Sequence, residues 1–147
     1  MQVIRGLHNL RPEHRGCVMT IGNYDGVHLG HRAILQRLRK QADSRSLPVL
    51  VTIFEPTPRE FFTPEDAPPR LASLREKLED LAGCGVDRVL CLPFNHKLAE
   101  LSAEKFVRDV IVDGVDARLV AVGDDFRFGS QRAGDFGMLQ QLGNELG

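Results

Sequence analysis

What most constrains the fold of this chain is a repeated change of hydrophobic period. Short β-rich apolar runs alternate with stretches of helical periodicity. Cys17 to Ile21 (CVMTI) is a continuous apolar run that stops at Gly22, as a buried strand does. From His28 to about Ala42 the pattern turns helical: Ile34, Leu35, Leu38 and Ala42 share one face, while Arg32, Arg37, Arg39 and Lys40 face outward. Leu50 to Phe54 (LVTIF) follows Pro48 and is closed by the breaker-rich Glu55-Pro56-Thr57-Pro58. Strand, helix, strand over roughly forty residues is the spacing of a βαβ unit, whose crossover is right-handed in a parallel sheet.

The alternation continues. Thr63 to Arg70 carries Pro64, Pro68 and Pro69 and reads as loop. Ser73 opens a helix with Glu76 three residues on, the signature of a capping box; Leu74, Leu78 and Leu81 form its apolar stripe, and Gly83 and Gly85 end it. Arg88 to Leu92 (RVLCL) is a third strand. Ser102 caps a helix with Phe106, Val107, Val110 and Ile111 inward, ended by Gly114, and Leu119 to Val122 (LVAV) is a fourth strand. Asp135 to about Leu146 reads as helix. Four strands alternating with helices predict an open, doubly wound parallel α/β sheet.

Composition narrows the function classes. The length of 147 residues gives one domain, large enough for a core without disulfides. Nineteen basic residues oppose twenty acidic ones, which argues against a nucleic-acid footprint built on counterion release. Only Lys40, Lys77, Lys97 and Lys105 are lysines; the remaining basic residues are Arg, the better fork for phosphate, but biased genomic base composition is the weightier explanation of the excess. Cys17, Cys84 and Cys91 form no CxxC pair, so they read as structural thiols rather than as a disulfide framework or zinc site. No signal peptide opens the chain and no apolar run reaches about 18 residues, so no membrane association and a cytoplasmic location are expected.

In such sheets ligands bind at the carboxyl ends of the strands. Two segments fall there. The first, Gly22 to His31 (GNYDGVHLGH), joins the first of these strands to a helix start, where unpaired N–H groups and the helix dipole favour phosphate. Its glycines permit close backbone approach. His28 and His31, three apart, share a helix face and could both donate to one anion, with Gly30 leaving space between them. A His-x-x-His pair also arises on ordinary surfaces, and as a metal site it supplies only two ligands. The GxGxxG dinucleotide fingerprint is absent. The second segment is Gly123 to Gly129 (GDDFRFG), after the fourth strand. It is either a polar turn with one Phe tucked inward, or a site where Phe126 or Phe128 meets a flat ring, a carboxylate accepts a ring N–H and Arg127 answers a phosphate.

His28-Leu29-Gly30-His31 resembles the HxGH signature of class I nucleotidylyltransferases, and GNYDGVHLGH as a whole is similar to the FAD synthetase (FMN adenylyltransferase) module of bacterial bifunctional riboflavin kinase/FAD synthetases. Phe54 to Glu60 (FEPTPRE), GDDFRFG with the following Arg132 and Gly134, Ser73 to Leu81 (SLREKLEDL) and Leu101 to Val110 (LSAEKFVRDV) resemble the same family. The likeness spans essentially the whole chain. Tyr24 stands where that family usually has Phe, and Thr57 where it often has His. The family's Ser-Ser-Thr-x-x-Arg segment and the riboflavin kinase domain are not found in this chain, so a domain cut short of its C-terminal end is expected.

The resemblance implies a Rossmann-like nucleotidylyltransferase fold and the reaction of FMN with ATP to give FAD and pyrophosphate, with Mg2+ held mainly by the ligand phosphates. It implies His28 and His31 as catalytic residues, Gly22, Asn23, Tyr24, Asp25 and Gly30 as the nucleotide loop, and Asp125, Arg127, Phe128 and Phe62 toward the flavin. The expected partners are FMN, ATP and a covalently linked riboflavin kinase domain, with no nucleic acid. The alternatives are another HxGH enzyme (pantetheine-phosphate adenylyltransferase or a cytidylyltransferase), an inactive nucleotide- or flavin-binding fragment, and a metal-binding protein using the two histidines.

Overall fold

The computed structural model describes residues 1–22, 24, 29–55, 62, 65 and 73–122. Its elements are β1 (Gln2–Arg5), β2 (Cys17–Ile21), α1 (Leu29–Arg45), β3 (Val49–Phe54), α2 (Leu74–Gly83), β4 (Arg88–Leu92), α3 (His96–Ala99), α4 (Ala103–Phe106) and β5 (Ala117–Ala121), with short 3-10 turns between β1 and β2. The five strands form one sheet in the order β1-β4-β3-β2-β5, and every pairing is parallel. The expected α/β class and all four expected strands are present.

The fifth strand, β1, was not among the expected runs. It has only four residues, at a sheet edge, and of these Ile4 alone is buried. An edge strand this short shows no period to read. β2 and β3, by contrast, are buried at every position because both of their faces are covered, so they read as unbroken apolar runs.

Strand alternation divides the core in two. Val18, Val49, Val51, Ile53 and Val89 meet Leu35, Leu38 and Ala42 of α1 and Leu81 of α2 on one face. Met19, Ile21, Leu50, Phe54 and Leu90 meet Phe106, Val107, Val110 and Ile111 on the other. Helices on opposite faces make the sheet doubly wound. The chain leaves β2 toward β3 on the α1 face, and it reaches β5 from β4 across the α4 face. The winding therefore reverses between β2 and β5, which is where crevices form at the carboxyl ends of such sheets.

The helices add detail to the sequence reading. Ser73 caps α2, its hydroxyl accepting the Glu76 N–H at 3.2 Å, but the Glu76 carboxylate receives the Ser73 hydroxyl at 3.2 Å. The helix buries Lys77 as well as Leu81, while Leu74 and Leu78 are half-buried. Gly85 follows with φ +85, the left-handed turn glycine tolerates. α4 runs directly into a π-helical stretch, Val107–Val112. Gly114 is needed there for space: a β-carbon would lie 2.5 Å from the Val110 carbonyl oxygen. Arg39, expected to face solvent, is instead held by Asp87, Asp43 and the Gly85 carbonyl. The expected helix from Asp135 and most of the Thr63–Arg70 loop lie outside the described residues.

Candidate active site

The carboxyl end of β2 carries the first of the two segments singled out above. β2 stays laddered to β3 through its last residue, and the Gly22 N–H still donates to the Thr52 carbonyl at 3.1 Å. The chain then turns sharply. Tyr24 takes φ 50, a left-handed conformation that bulky residues adopt only when their surroundings enforce it. The turn folds the phenol back along its own strand, and its hydroxyl pairs with Thr20 Oγ1 at 2.9 Å. Burial raises the Tyr24 phenol above its ordinary pKa, with the Thr20 hydrogen bond acting the other way, so it stays protonated at neutral pH. A β-carbon at Gly22 would come within 3.0 Å of the Tyr24 ring, so glycine is what lets the ring lie there.

α1 starts at Leu29, which puts Gly30 and His31 in its first turn. His31 is half-buried, and its ring centroid lies 4.5 Å from that of Tyr24 at an interplanar tilt of 42°. Tyr24, expected among the nucleotide-binding residues, is only 3% exposed, and its ring lies against His31. Thr20 was missed by sequence reasoning; the signal was a hydroxyl in an otherwise apolar central strand, four residues before the chain's one Tyr.

β5 lies beside β2, with Thr20 opposite Ala121. Gly22 and Val122 therefore leave adjacent strand ends. The two segments, far apart in sequence, thus follow neighbouring strand ends at the reversal of winding. Asn23, Asp25, His28, Asp125, Arg127 and Phe128 lie outside the described residues.

Phe62 is 62% exposed, and its ring stacks edgewise on Phe94 at 5.5 Å; Phe94 in turn meets Phe54 at 5.7 Å. Three rings thus lead from the core at the end of β3 to the surface. Phe94 was not anticipated, because one Phe after a strand carries no pattern. Toward β1 a cavity of about 760 Å³ opens, lined by Arg5, His8, Glu55, Leu92, Asn95 and Leu98. It lies at the carboxyl ends of β1, β3 and β4, and His31 and Tyr24 are not among its walls.

The cysteines behave as structural thiols where they are buried. Burial pushes the Cys17 thiol up to about 12, and its S–H points at the Val115 carbonyl. Burial also raises Cys91, although Arg5 and Lys77 pull the other way. Cys84 is half-buried at the end of α2. Among the described residues, no group of three or more His, Cys, Asp or Glu could hold a metal ion, and no helix is long and apolar enough to cross a membrane.

Comparison with known proteins adds an independent line. A family described as FAD synthetase matches residues 10–147. A bifunctional riboflavin kinase/FMN adenylyltransferase from Pseudomonas fluorescens is 60% identical over 147 residues, covering 100% of this chain and 47% of that protein. Its counterpart in Escherichia coli strain K12 is 53% identical over 100% of this chain and 47% of that protein. The Haemophilus influenzae protein of the same description is 45% identical over 100% of this chain and 48% of its own length. The chain spans about half the length of these curated relatives. Among solved structures, one titled macrolide-efflux protein from Streptococcus pneumoniae superposes with a TM-score of 0.82 at 24% identity, over 96% of this chain and 47% of that one. That likeness concerns the fold alone.

Proposed function

The chain belongs to the FAD synthetase family, and from that premise we propose that it transfers the adenylyl group of ATP to FMN, giving FAD and pyrophosphate. The same proposal makes it the adenylyltransferase half of a longer cytoplasmic polypeptide that also carries riboflavin kinase, since the relatives so named are about twice its length. The observation that carries this reading is the register of β2 against β5, Thr20 opposite Ala121. It sets Gly22 and Val122 at adjacent strand ends, which supports a site where two phosphates meet.

The chemistry asks little covalent work of the protein. An FMN phosphate oxygen attacks the α-phosphorus of ATP; one P–O bond forms, the bond to the β-phosphate bridging oxygen breaks, and pyrophosphate leaves with that electron pair. The nucleophile is already ionised near neutral pH, because a phosphate monoester has a second pKa of about 6. No general base is needed. What remains is to hold two anions in line and to offset charge at the α-phosphorus. His31 in the first turn of α1, the first N–H groups of that helix and His28 are assigned to the charge. Asn23, Asp25, Gly22 and Gly30 shape the nucleotide loop. Asp125 and Phe128, with Arg127 and the exposed Phe62, are assigned to FMN. Mg2+ would arrive on the ATP phosphates and supply further offset of their charge.

The test is incubation with FMN, ATP and Mg2+, with FAD followed by chromatography. FAD and pyrophosphate are expected in equal amounts, and replacing FMN with pantetheine phosphate, or ATP with CTP, is expected to give no product. Failure to form FAD by both the 147-residue chain and the natural full-length polypeptide overturns the proposal.

A further inference from the structure

We infer that Tyr24 is a positioning residue, which fixes the plane of the His31 imidazole and acts on the reaction only through it. The inference rests on the adenylyl-transfer reading above. Four side-chain positions interlock at the end of β2. Thr20 anchors the phenol at 2.9 Å, Gly22 leaves room for the ring, Tyr24 supplies it, and His31 lies against it at 4.5 Å. Thr20 is 1% exposed and Tyr24 3%, so the hydroxyl pair is shielded from water and hard to exchange. The phenol is thereby pinned at both ends, by its left-handed backbone and by its hydroxyl. A His31 ring that turned about its own χ angles would lose the face of Tyr24.

This matters because HxGH chemistry of the kind proposed depends on placement. A donor displaced by about 1 Å at a reacting centre costs on the order of 10²-fold in rate. Helix α1 sets the position of the His31 backbone; it does not set the ring plane. The Tyr24 ring acts on it through direct contact, and the Tyr24 hydroxyl is spent on Thr20 rather than offered to a ligand.

The experiment compares Tyr24→Phe, Tyr24→Leu and Thr20→Val in the full-length protein, with rates normalised to folded protein. Tyr24→Leu is expected to lower kcat for FAD formation about tenfold or more, with KM for ATP and FMN changed less than about threefold, as lost orientation without lost binding predicts. Tyr24→Phe keeps the ring and is expected to recover most of kcat, with Thr20→Val similar to it. In NMR spectra the His31 Cε1–H signal should move in Tyr24→Leu and stay near its place in Tyr24→Phe. Wild-type kcat in normalised Tyr24→Leu, or equal loss in the Phe and Leu variants, overturns the inference. If the wild-type protein makes no FAD, it is the reading of the reaction that fails. The His31 signal then decides the inference, and an unmoved signal in Tyr24→Leu overturns it.

Discussion

A hydroxyl buried in a central parallel strand costs free energy unless it finds a partner, and Thr20 finds Tyr24. That one pair shows how the end of β2 becomes a platform. The paired histidines, the glycines and the strand that precedes them were all legible in the sequence, because each leaves a local pattern. The support beneath His31 was not. It depends on a left-handed residue doubling back on its own strand, and Tyr24 carries no residue-type signal for that conformation. At this scale two substitutions test the proposed roles. His28→Ala is expected to lower turnover by about 10²-fold or more, the scale of losing one oriented donor, with little change in Tm. Near-normal FAD formation by the full-length variant removes His28 from the mechanism. Asp125→Ala is expected to weaken FMN binding while leaving ATP binding intact, which titration calorimetry measures for each ligand separately. Equal weakening of both would take Asp125 out of the flavin site.

Helix α1 brings His31 to the strand ends, and its far end is tied down by charge rather than by apolar packing alone. Arg39 reaches Asp87 at 2.7 Å and Asp43 at 2.9 Å, and Asp87 also accepts the Val49 N–H at 2.9 Å at the start of β3. Burial by itself would raise the Asp87 carboxyl. The Val49 N–H and the Arg39 guanidinium outweigh it and hold the group below the usual carboxylate range. A depressed carboxylate stabilises the fold above its unfolded pKa of about 4, and that contribution drains away as pH falls through the lower folded value. Asp87→Asn is therefore expected to cost about 1 kcal/mol at neutral pH, because Asp87 is partly exposed and screened, or roughly 3 °C in Tm. The difference from wild type should shrink as the pH is lowered below about 4. Melting curves from neutral to acid pH check this, and a difference that grows on acidification contradicts it. The sequence showed Arg39 only as an outward position on an amphipathic helix. Its partners Gly85 and Asp87 come from the loop before β4, which no helical period can reveal.

Strand order is a property of the whole molecule, and it decides which segments meet. The alternating periods specify parallel strands joined by helices, yet they are silent on whether β5 joins the sheet beside β4 or beside β2. Packing of Phe106, Val107, Val110 and Ile111 on the face opposite α1 carries the chain across the sheet, so β5 arrives next to β2. The histidine loop and the Gly123–Gly129 segment thereby follow neighbouring strand ends, while the cavity beside β1 lies at the carboxyl ends of β1, β3 and β4. Among the described residues the winding reverses between β2 and β5, and we assign adenylyl transfer to that reversal. We propose that phosphorylation of riboflavin, the other activity named for the relatives, lies in the half of those proteins that this chain does not span. The 147-residue chain is accordingly expected to give no FMN from riboflavin, ATP and Mg2+, while the natural full-length polypeptide gives FMN and then FAD. Chromatography of flavins from parallel incubations of the two proteins is the measurement. FMN formed by the 147-residue chain would mean that this chain serves both reactions, and would overturn the division of labour proposed for the two halves.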